Sequence, residues 1–201
     1  MNTRVYYSNG NREEVLAVLP GKKIIDVGGA TSFADKFVSV VVDRGPAVYK
    51  TDKTFIGDIN FIEIWQEVLG YVDKFGKFDF CICTHTLEDL YNPILVYSIL
   101  GKIANEGFVA VPSKYMELSK WGTRGFIHHH WVYNIEGGLV VAYPKICFLE
   151  DSRFDDIQKK NCSEVNIWWK DSLEISTING GYLGPTVEVV QEMYLKGLHS
   201  D

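Results

Sequence analysis

Three acids in the first third of the chain each follow an apolar run and sit beside a turn: Asp26-Val27-Gly28-Gly29, Asp43-Arg44 and Gly57-Asp58-Ile59-Asn60. A strand that ends in an acid and turns at glycine into a helix lets backbone approach a ligand while helix N–H groups point at it. A second acid, ending the next strand, can accept both hydroxyls of a ribose. Asp43 lies about 17 residues beyond Asp26, the spacing such a unit requires. An acid after a third strand, here Asp58, can accept a hydrogen bond from an exocyclic adenine amine. Two further turns follow apolar runs in the same way, at Thr84-His85 and Pro112-Ser113.

The elements that would position these residues are legible from hydrophobic spacing. Asn11 to Leu19 reads as a short helix stopped by Pro20-Gly21, and Lys23 to Val27 as a strand entering the glycine turn. Thr31 to Lys36 is predicted to be a short helix and Val38 to Val42 a nearly continuous apolar strand. Phe61 to Phe75 carries apolar residues at helical spacing. Phe78 to Cys83 is a strand, Pro93 to Ala104 a helix and Phe108 to Val111 a strand. Continuous apolar strands with helices between them predict a parallel sheet covered on both faces, whose ligands bind beyond the strands' carboxyl ends.

Beyond Pro112 the pattern changes. Trp131 to Ile135, the Glu136-Gly137-Gly138 turn and Leu139 to Tyr143 predict a β-hairpin. Ile167 to Ile178 holds strand-like stretches, and Thr186 to Leu198 reads as a final helix. One domain is expected over residues 1–201. Residues 1–113 would form a cofactor-binding half, and 114–201 a half that completes the sheet or covers the substrate side.

The run Phe78-Asp79-Phe80-Cys81-Ile82-Cys83-Thr84-His85-Thr86-Leu87-Glu88-Asp89-Leu90, followed by Asn92-Pro93 and then Glu106 to Ser113, makes a resemblance specific. The order is similar to that of the class I S-adenosylmethionine-dependent methyltransferases. It is most like the subgroup whose fourth motif reads Ser/Thr-His-x-Leu-Glu-His/Asp before Asn/Asp-Pro. The match covers about Lys22 to Ser113, and a looser similarity continues through Glu117, Trp121 and His129-His130-Trp131. The resemblance implies a Rossmann-like methyltransferase fold, with a mostly parallel sheet flanked by helices and a C-terminal extension containing the hairpin. It implies S-adenosylmethionine as cofactor. Asp26, Gly28, Gly29 and Ala30 would hold the methionine part, Asp43 with Arg44 the ribose, Asp58 and Ile59 the adenine, and Thr84 with His85 the floor near the sulfonium. The family's first motif, Asp-x-Gly-x-Gly-x-Gly, is altered: Ala30 and Ser32 replace two glycines, and Gly29 is expected to take the left-handed position.

The expected activity is methyl transfer to a small-molecule, sugar-like or carrier-bound acceptor. The alternatives are a methyltransferase-like binding or scaffolding protein and a nicotinamide-dependent oxidoreductase; the latter is disfavoured because no Gly-x-Gly-x-x-Gly turn is present. Where the acceptor must lose a proton, His85, His129 or His130 could take it. Read as strand residues, His128, His129 and His130 alternate faces and cannot all serve one site, so no metal is expected. Glu88 and Asp89 read as acids favouring a helix's first turn, with no catalytic role. A net charge of −6 without a basic run gives nucleic acid no footprint. The Asn/Asp-Pro-Pro-aromatic turn and the Pro-Cys pair of nucleobase-modifying enzymes are also missing. The cysteines lack metal spacing, and buried free thiols at Cys81 and Cys83 are expected. With no apolar run of membrane-spanning length, a cytoplasmic protein that uses no membrane is expected.

Overall fold

In the computed structural model, which describes residues 3–10, 12–117, 128–145 and 162–178, a seven-stranded sheet forms the centre. Its strands are β1 (Arg4–Ser8), β2 (Ile24–Val27), β3 (Val38–Asp43), β4 (Lys53–Ile56), β5 (Phe78–Thr84), β6 (Ala104–Pro112) and β9 (Glu164–Lys170). They are ordered β1-β9-β6-β5-β2-β3-β4. The five from β6 to β4 are mutually parallel, while β9 pairs antiparallel with both β6 and β1. The chain builds outwards from β2 through β3 to β4, then returns to the other side of β2 with β5 and β6. The switch point in strand order therefore lies between β2 and β5, where open α/β sheets bind ligands.

Both faces of the sheet are covered, so its strands are apolar on both sides: every residue of β2 is buried. One face packs Ile25, Val27, Val40, Val42, Cys81, Cys83, Val109 and Val111 against α2 (Ile62–Phe75) and α3 (Pro93–Ile103). The other packs Ile24, Val41, Phe80, Ile82, Phe108 and Ala110 against Val15 of α1 (Arg12–Val18) and Leu19. Cys81 and Cys83 are buried free thiols on one face, as their spacing of two requires. Helix α2 buries Ile64, Trp65, Val68 and Val72 and ends at Gly76, whose left-handed backbone donates to the Val72 carbonyl. Helix α3 opens on Asn92, whose side chain caps Leu95 N–H, with Pro93 as the first helical residue.

The hairpin forms as expected, from β7 (Trp131–Glu136) and β8 (Leu139–Pro144). Gly137 and Gly138 both have positive φ in its two-residue turn. With β10 (Ile175–Thr177) parallel to β8, it makes a separate three-stranded sheet. A short helix α4 (Lys114–Glu117) follows β6. The α/β architecture, with a mostly parallel sheet, flanking helices and a hairpin-bearing extension, is the one the sequence implied.

Two readings change, and one element comes without a sequence signal. Thr31 to Lys36 is not a helix but a series of turns. Ser32 Oγ accepts from Ala34 N–H, and Val48 N–H donates to the Ala30 carbonyl, so local side-chain and loop bonds take the groups a helix would use. The left-handed glycine is Gly28, with φ 75°, rather than Gly29. The N-terminal segment, which has no apolar run, supplies edge strand β1. The helix expected over Thr186 to Leu198 lies outside the described residues, as do Trp121 and Cys147. Among the described residues no helix is long and apolar enough to cross a membrane.

Candidate functional site

The carboxyl ends of β2, β3, β4 and β5 meet around a cavity of about 180 Å3 at the switch point. Gly28 comes from the turn after β2, Asp43 and Arg44 from the end of β3, and Ile59 and Asn60 from the loop after β4. His85, Thr86, Asp89 and Leu90 come from the turn after β5. Asp43, Arg44, Ile59, Gly28 and His85 are thus brought together as the sequence suggested. Asp26, Gly29, Ala30, Asp58 and Thr84 stand one layer back.

Each of these turns is fixed by bonds that follow from the residues present. Asp43 Oδ2 accepts from Ala30 N–H at 3.0 Å and Oδ1 from Gly45 N–H at 3.1 Å, tying the glycine loop to the end of β3. Tyr49 donates to the Gly29 carbonyl at 2.7 Å. Trp65, fully buried in α2, donates its indole N–H to the Ile59 carbonyl at 2.9 Å and so sets the loop after β4. Asn60 Oδ1 accepts from Asn92 N–H, which joins that loop to the start of α3. Arg44 pairs with Asp58 at 2.7 Å. Burial opposes ionisation of Asp58, yet the Asn60 and Arg44 hydrogen bonds together hold its carboxyl below the ordinary value.

Two glycines at the head of the loop make room for protein rather than for a ligand. A Cβ on Gly28 would lie 2.1 Å from Thr86 Oγ1, and one on Gly29 would lie 2.1 Å from Asp26 Cγ. Asp26, 2% exposed, therefore sits beneath the loop, and its carboxyl is pushed up to about 7. Burial is the main cause, with the charge of Asp43 adding to it and a Ser32 hydrogen bond opposing.

A second cavity, of about 390 Å3, shares His85 and Asp89 with the first. Its other walls are Glu88, Pro112, Met116, His128, His129, Ser163 and Glu164. Together the two reach the size usual for small-molecule sites. A further cavity of about 430 Å3, by Val18, Lys22 and Glu106, lies towards the amino ends of the strands, away from this rim.

Glu164 reaches the rim because β9 runs antiparallel: its first residue pairs with Pro112, the last of β6. Nothing in the sequence spacing signals this, since only the strand order places it. Glu164 accepts from His85 Nε2 at 2.9 Å, and Glu88 lies 3.6 Å from Nδ1. These two carboxylates, Glu164 first, raise the His85 pKa to about 10. His85 also holds a left-handed φ of 50°, a strained backbone of the kind kept at functional sites. A group with that pKa carries a proton throughout neutral pH, which suits a fixed cation better than a base.

The pH dependence follows in sign. With 6.5 as the ordinary value and about 10 in the fold, the His85 contribution to stability is complete below about pH 6.5 and is lost as pH rises to 10. His85→Gln should therefore lower the urea midpoint at about pH 6 and leave it unchanged at about pH 10.5. A gap of equal size at both would show that the imidazolium pairs contribute nothing.

Glu88, expected to be a solvated first-turn acid, is instead 1% exposed in a single 3-10 turn, Leu87–Asp89. Burial raises its pKa, His85 opposing, and its Oε2 is buried without a hydrogen-bonding partner. The histidine run is not strand: β7 begins at Trp131, so side-chain alternation does not govern His128 to His130. His129 is 7% exposed, with Nδ1 on Glu117, which Lys145 also contacts; both partners are buried. His130 packs at a tilt against Tyr91, ring centroids 4.3 Å apart, and lines neither cavity. Burial lowers its pKa.

No protein-family model and no curated protein matches the sequence. The solved structures similar to the chain include S-adenosylmethionine-dependent methyltransferases. One is such an enzyme from Thermotoga maritima, 11% identical, with 80% of this chain and 86% of that one covered at a TM-score of 0.44. Another is the methyltransferase domain of a bacterial Hen1, 14% identical, covering 79% and 95%, TM-score 0.44. A third is the N-terminal domain of EvdMO1 with S-adenosylhomocysteine and D-fucose, 11% identical, covering 79% and 80%, TM-score 0.43. The likeness is one of chain course alone, so the chemistry has to come from the site.

Proposed function

We propose that the protein binds S-adenosylmethionine in the cavity at the switch point and transfers its methyl group to an acceptor in the adjoining cavity. The observation that carries this reading is the acid at the end of β3, Asp43, lining a cavity that spans the carboxyl ends of four adjacent strands. The residues present fit the cofactor's parts. Asp43 can accept from ribose hydroxyls with the lone pairs its loop bonds leave. Ile59 offers an apolar wall to adenine, with Asp58 and Asn60 beside it. Asp26, beneath the Gly28-Gly29-Ala30 loop, supplies the negative charge for the ammonium of the methionine part. His85 lines the cavity, with Thr84 behind it at the end of β5.

When bound, the cofactor supplies an electrophilic methyl on a sulfonium. The chain's own contribution is to hold an acceptor in line with it, where near-attack geometry gives most of the rate. His85, shared by both cavities, marks where they meet. Of the three candidate histidines, His85 and His129 line the acceptor cavity and His130 does not; the His129 ring is oriented by buried Glu117.

A second reading, a fold that binds without turnover, is favoured by one observation: Asp43 already accepts from Ala30 and Gly45. A thermal-shift titration with S-adenosylhomocysteine separates the two. At ~100 times its dissociation constant the ligand should add about 2.7 kcal/mol of stability, and Asp43→Ala should remove that gain while remaining folded. No shift in the well-folded parent protein would favour the non-catalytic reading. A shift with NADH instead would point to a nicotinamide enzyme.

A further inference from the structure

The acceptor-side cavity gathers more ligand-type side chains than binding an organic substrate requires. Asp89 Oδ1 lies 3.6 Å from His129 Nε2 and 3.9 Å from His128 Nε2, and one ligand atom from each of the three falls within 4.8 Å of the others. All three residues line this cavity. Ligands on one tetrahedral zinc stand about 3.3 Å apart, given bonds of about 2 Å. Small side-chain rotations of exposed Asp89 and His128 would close the difference.

The second layer points the same way. The Nδ1 of His129 meets the Glu117 carboxylate, which leaves Nε2, 3.6 Å from Asp89, as the ring atom that can coordinate. A carboxylate behind a histidine is the usual device for orienting a metal ligand and raising its basicity. Lys145, on the other oxygen of Glu117, holds that carboxylate in place. Independently, Glu88 lines the same cavity, and its buried Oε2 lacks a hydrogen-bonding partner, an acceptor that a bound ion or its water could satisfy.

We propose that Asp89, His128 and His129 hold a divalent cation of the zinc or manganese type in the acceptor-side cavity. This reverses the expectation of no metal, whose premise was that the histidines lie on a strand. Two imidazoles with one carboxylate favour transition-series ions over magnesium or calcium, which take mainly oxygen ligands. Three protein ligands leave coordination open towards the cavity. On the reading that methyl transfer occurs here, the open position would take an oxygen or nitrogen donor of the acceptor and hold it beside the methyl group.

The test is calorimetric titration of the apo protein with Zn2+ and, separately, Mn2+, with Mg2+ and Ca2+ as controls and no cofactor present. The expected result is one Zn2+ or Mn2+ per chain, weakened at least tenfold in Asp89→Asn and in His128→Gln, with at least tenfold weaker Mg2+ and Ca2+ binding. Asp89 and His128 are exposed, so both variants should fold, which circular dichroism checks. Absence of saturable Zn2+ or Mn2+ binding, or binding that both variants retain, overturns the assignment. Because the titration omits the cofactor, its failure leaves the S-adenosylhomocysteine shift untouched, and the failure of that shift leaves the ion site standing.

Discussion

At pH 8 the Asp26→Asn variant should unfold at a higher temperature than the parent protein, yet bind S-adenosylhomocysteine more weakly. Asp26 has a pKa of about 7 in the fold against 3.8 ordinarily, chiefly through burial. For an acid raised in this direction, the folded state carries a penalty that is absent below about pH 4. It grows as pH rises towards 7 and is complete above that. A shift of about three units corresponds to about 4 kcal/mol. Asparagine keeps the shape and can still accept from Ser32, but bears no charge. A gain on the order of 2–4 kcal/mol is therefore expected at pH 8 and almost none near pH 4. Scanning calorimetry of both proteins at the two pH values checks it. A stability gap that fails to narrow in acid would mean that burial of the charge is not what the substitution relieves. The weaker binding follows from the proposed role: an ammonium at the loop draws on the ionised carboxylate. Such an exchange of stability for binding is common where an acid is kept at a site despite its cost.

Gly28→Ala should be among the most damaging additions of a single methyl group in the protein. Its Cβ would stand 2.1 Å from Thr86 Oγ1 and 2.6 Å from Cγ2, on a backbone with φ of 75°. Overpacking costs roughly 1–3 kcal/mol and a left-handed alanine roughly 1–2 more, so a loss of about 2–5 kcal/mol is expected. Thr86 hydrogen-bonds the Val27 and Thr84 carbonyls, so it cannot swing away without giving up bonds that join the ends of β2 and β5. Removing the obstacle tests the cause. In a double-mutant cycle with Thr86→Ala, the loss from Gly28→Ala should shrink by the overpacking share while the backbone share remains. Strict additivity of the two substitutions would show that contact with Thr86 is not the reason glycine is required.

The sheet was readable because its strands are buried on both faces and hence almost continuously apolar, as in Val38 to Val42, broken only by Ser39. The same property that hides a strand from water makes it conspicuous in sequence. Strand β1 has no such run: Arg4–Ser8 lies at an edge, half-buried, and its pairing with β9 can only be known once the distant strand is placed. The loop after Gly28 misled because Thr31 to Lys36 has helix-compatible residues, while Ser32 and the bond to Val48 decide otherwise. At the site, the acids that end strands were legible by position. Glu88 was not, since an acid beginning a helical turn is ordinarily solvated and only the packing of Leu87–Asp89 buries it. Glu164 meets His85 across 79 residues, a pairing that no local pattern encodes, and the Glu117–His129 contact joins residues 12 apart that spacing alone did not pair.

The pairing of β1 with β9 also sets an order of events during synthesis. Tyr6 and Trp168, whose indole N–H donates to the Tyr6 hydroxyl at 3.3 Å, are 162 residues apart in the chain. The first described strand must therefore wait for almost the last described one, while β2 to β6 can already associate. Contacts of such long range are slow to form. Until β9 arrives, β6 presents an open edge of nine residues, most of them buried in the finished protein. An unpaired edge of that kind invites pairing with other chains. A nascent chain stalled before Glu164 should thus be the most aggregation-prone stage of this protein's life, and a short pulse of translation arrest there would expose it to chaperones.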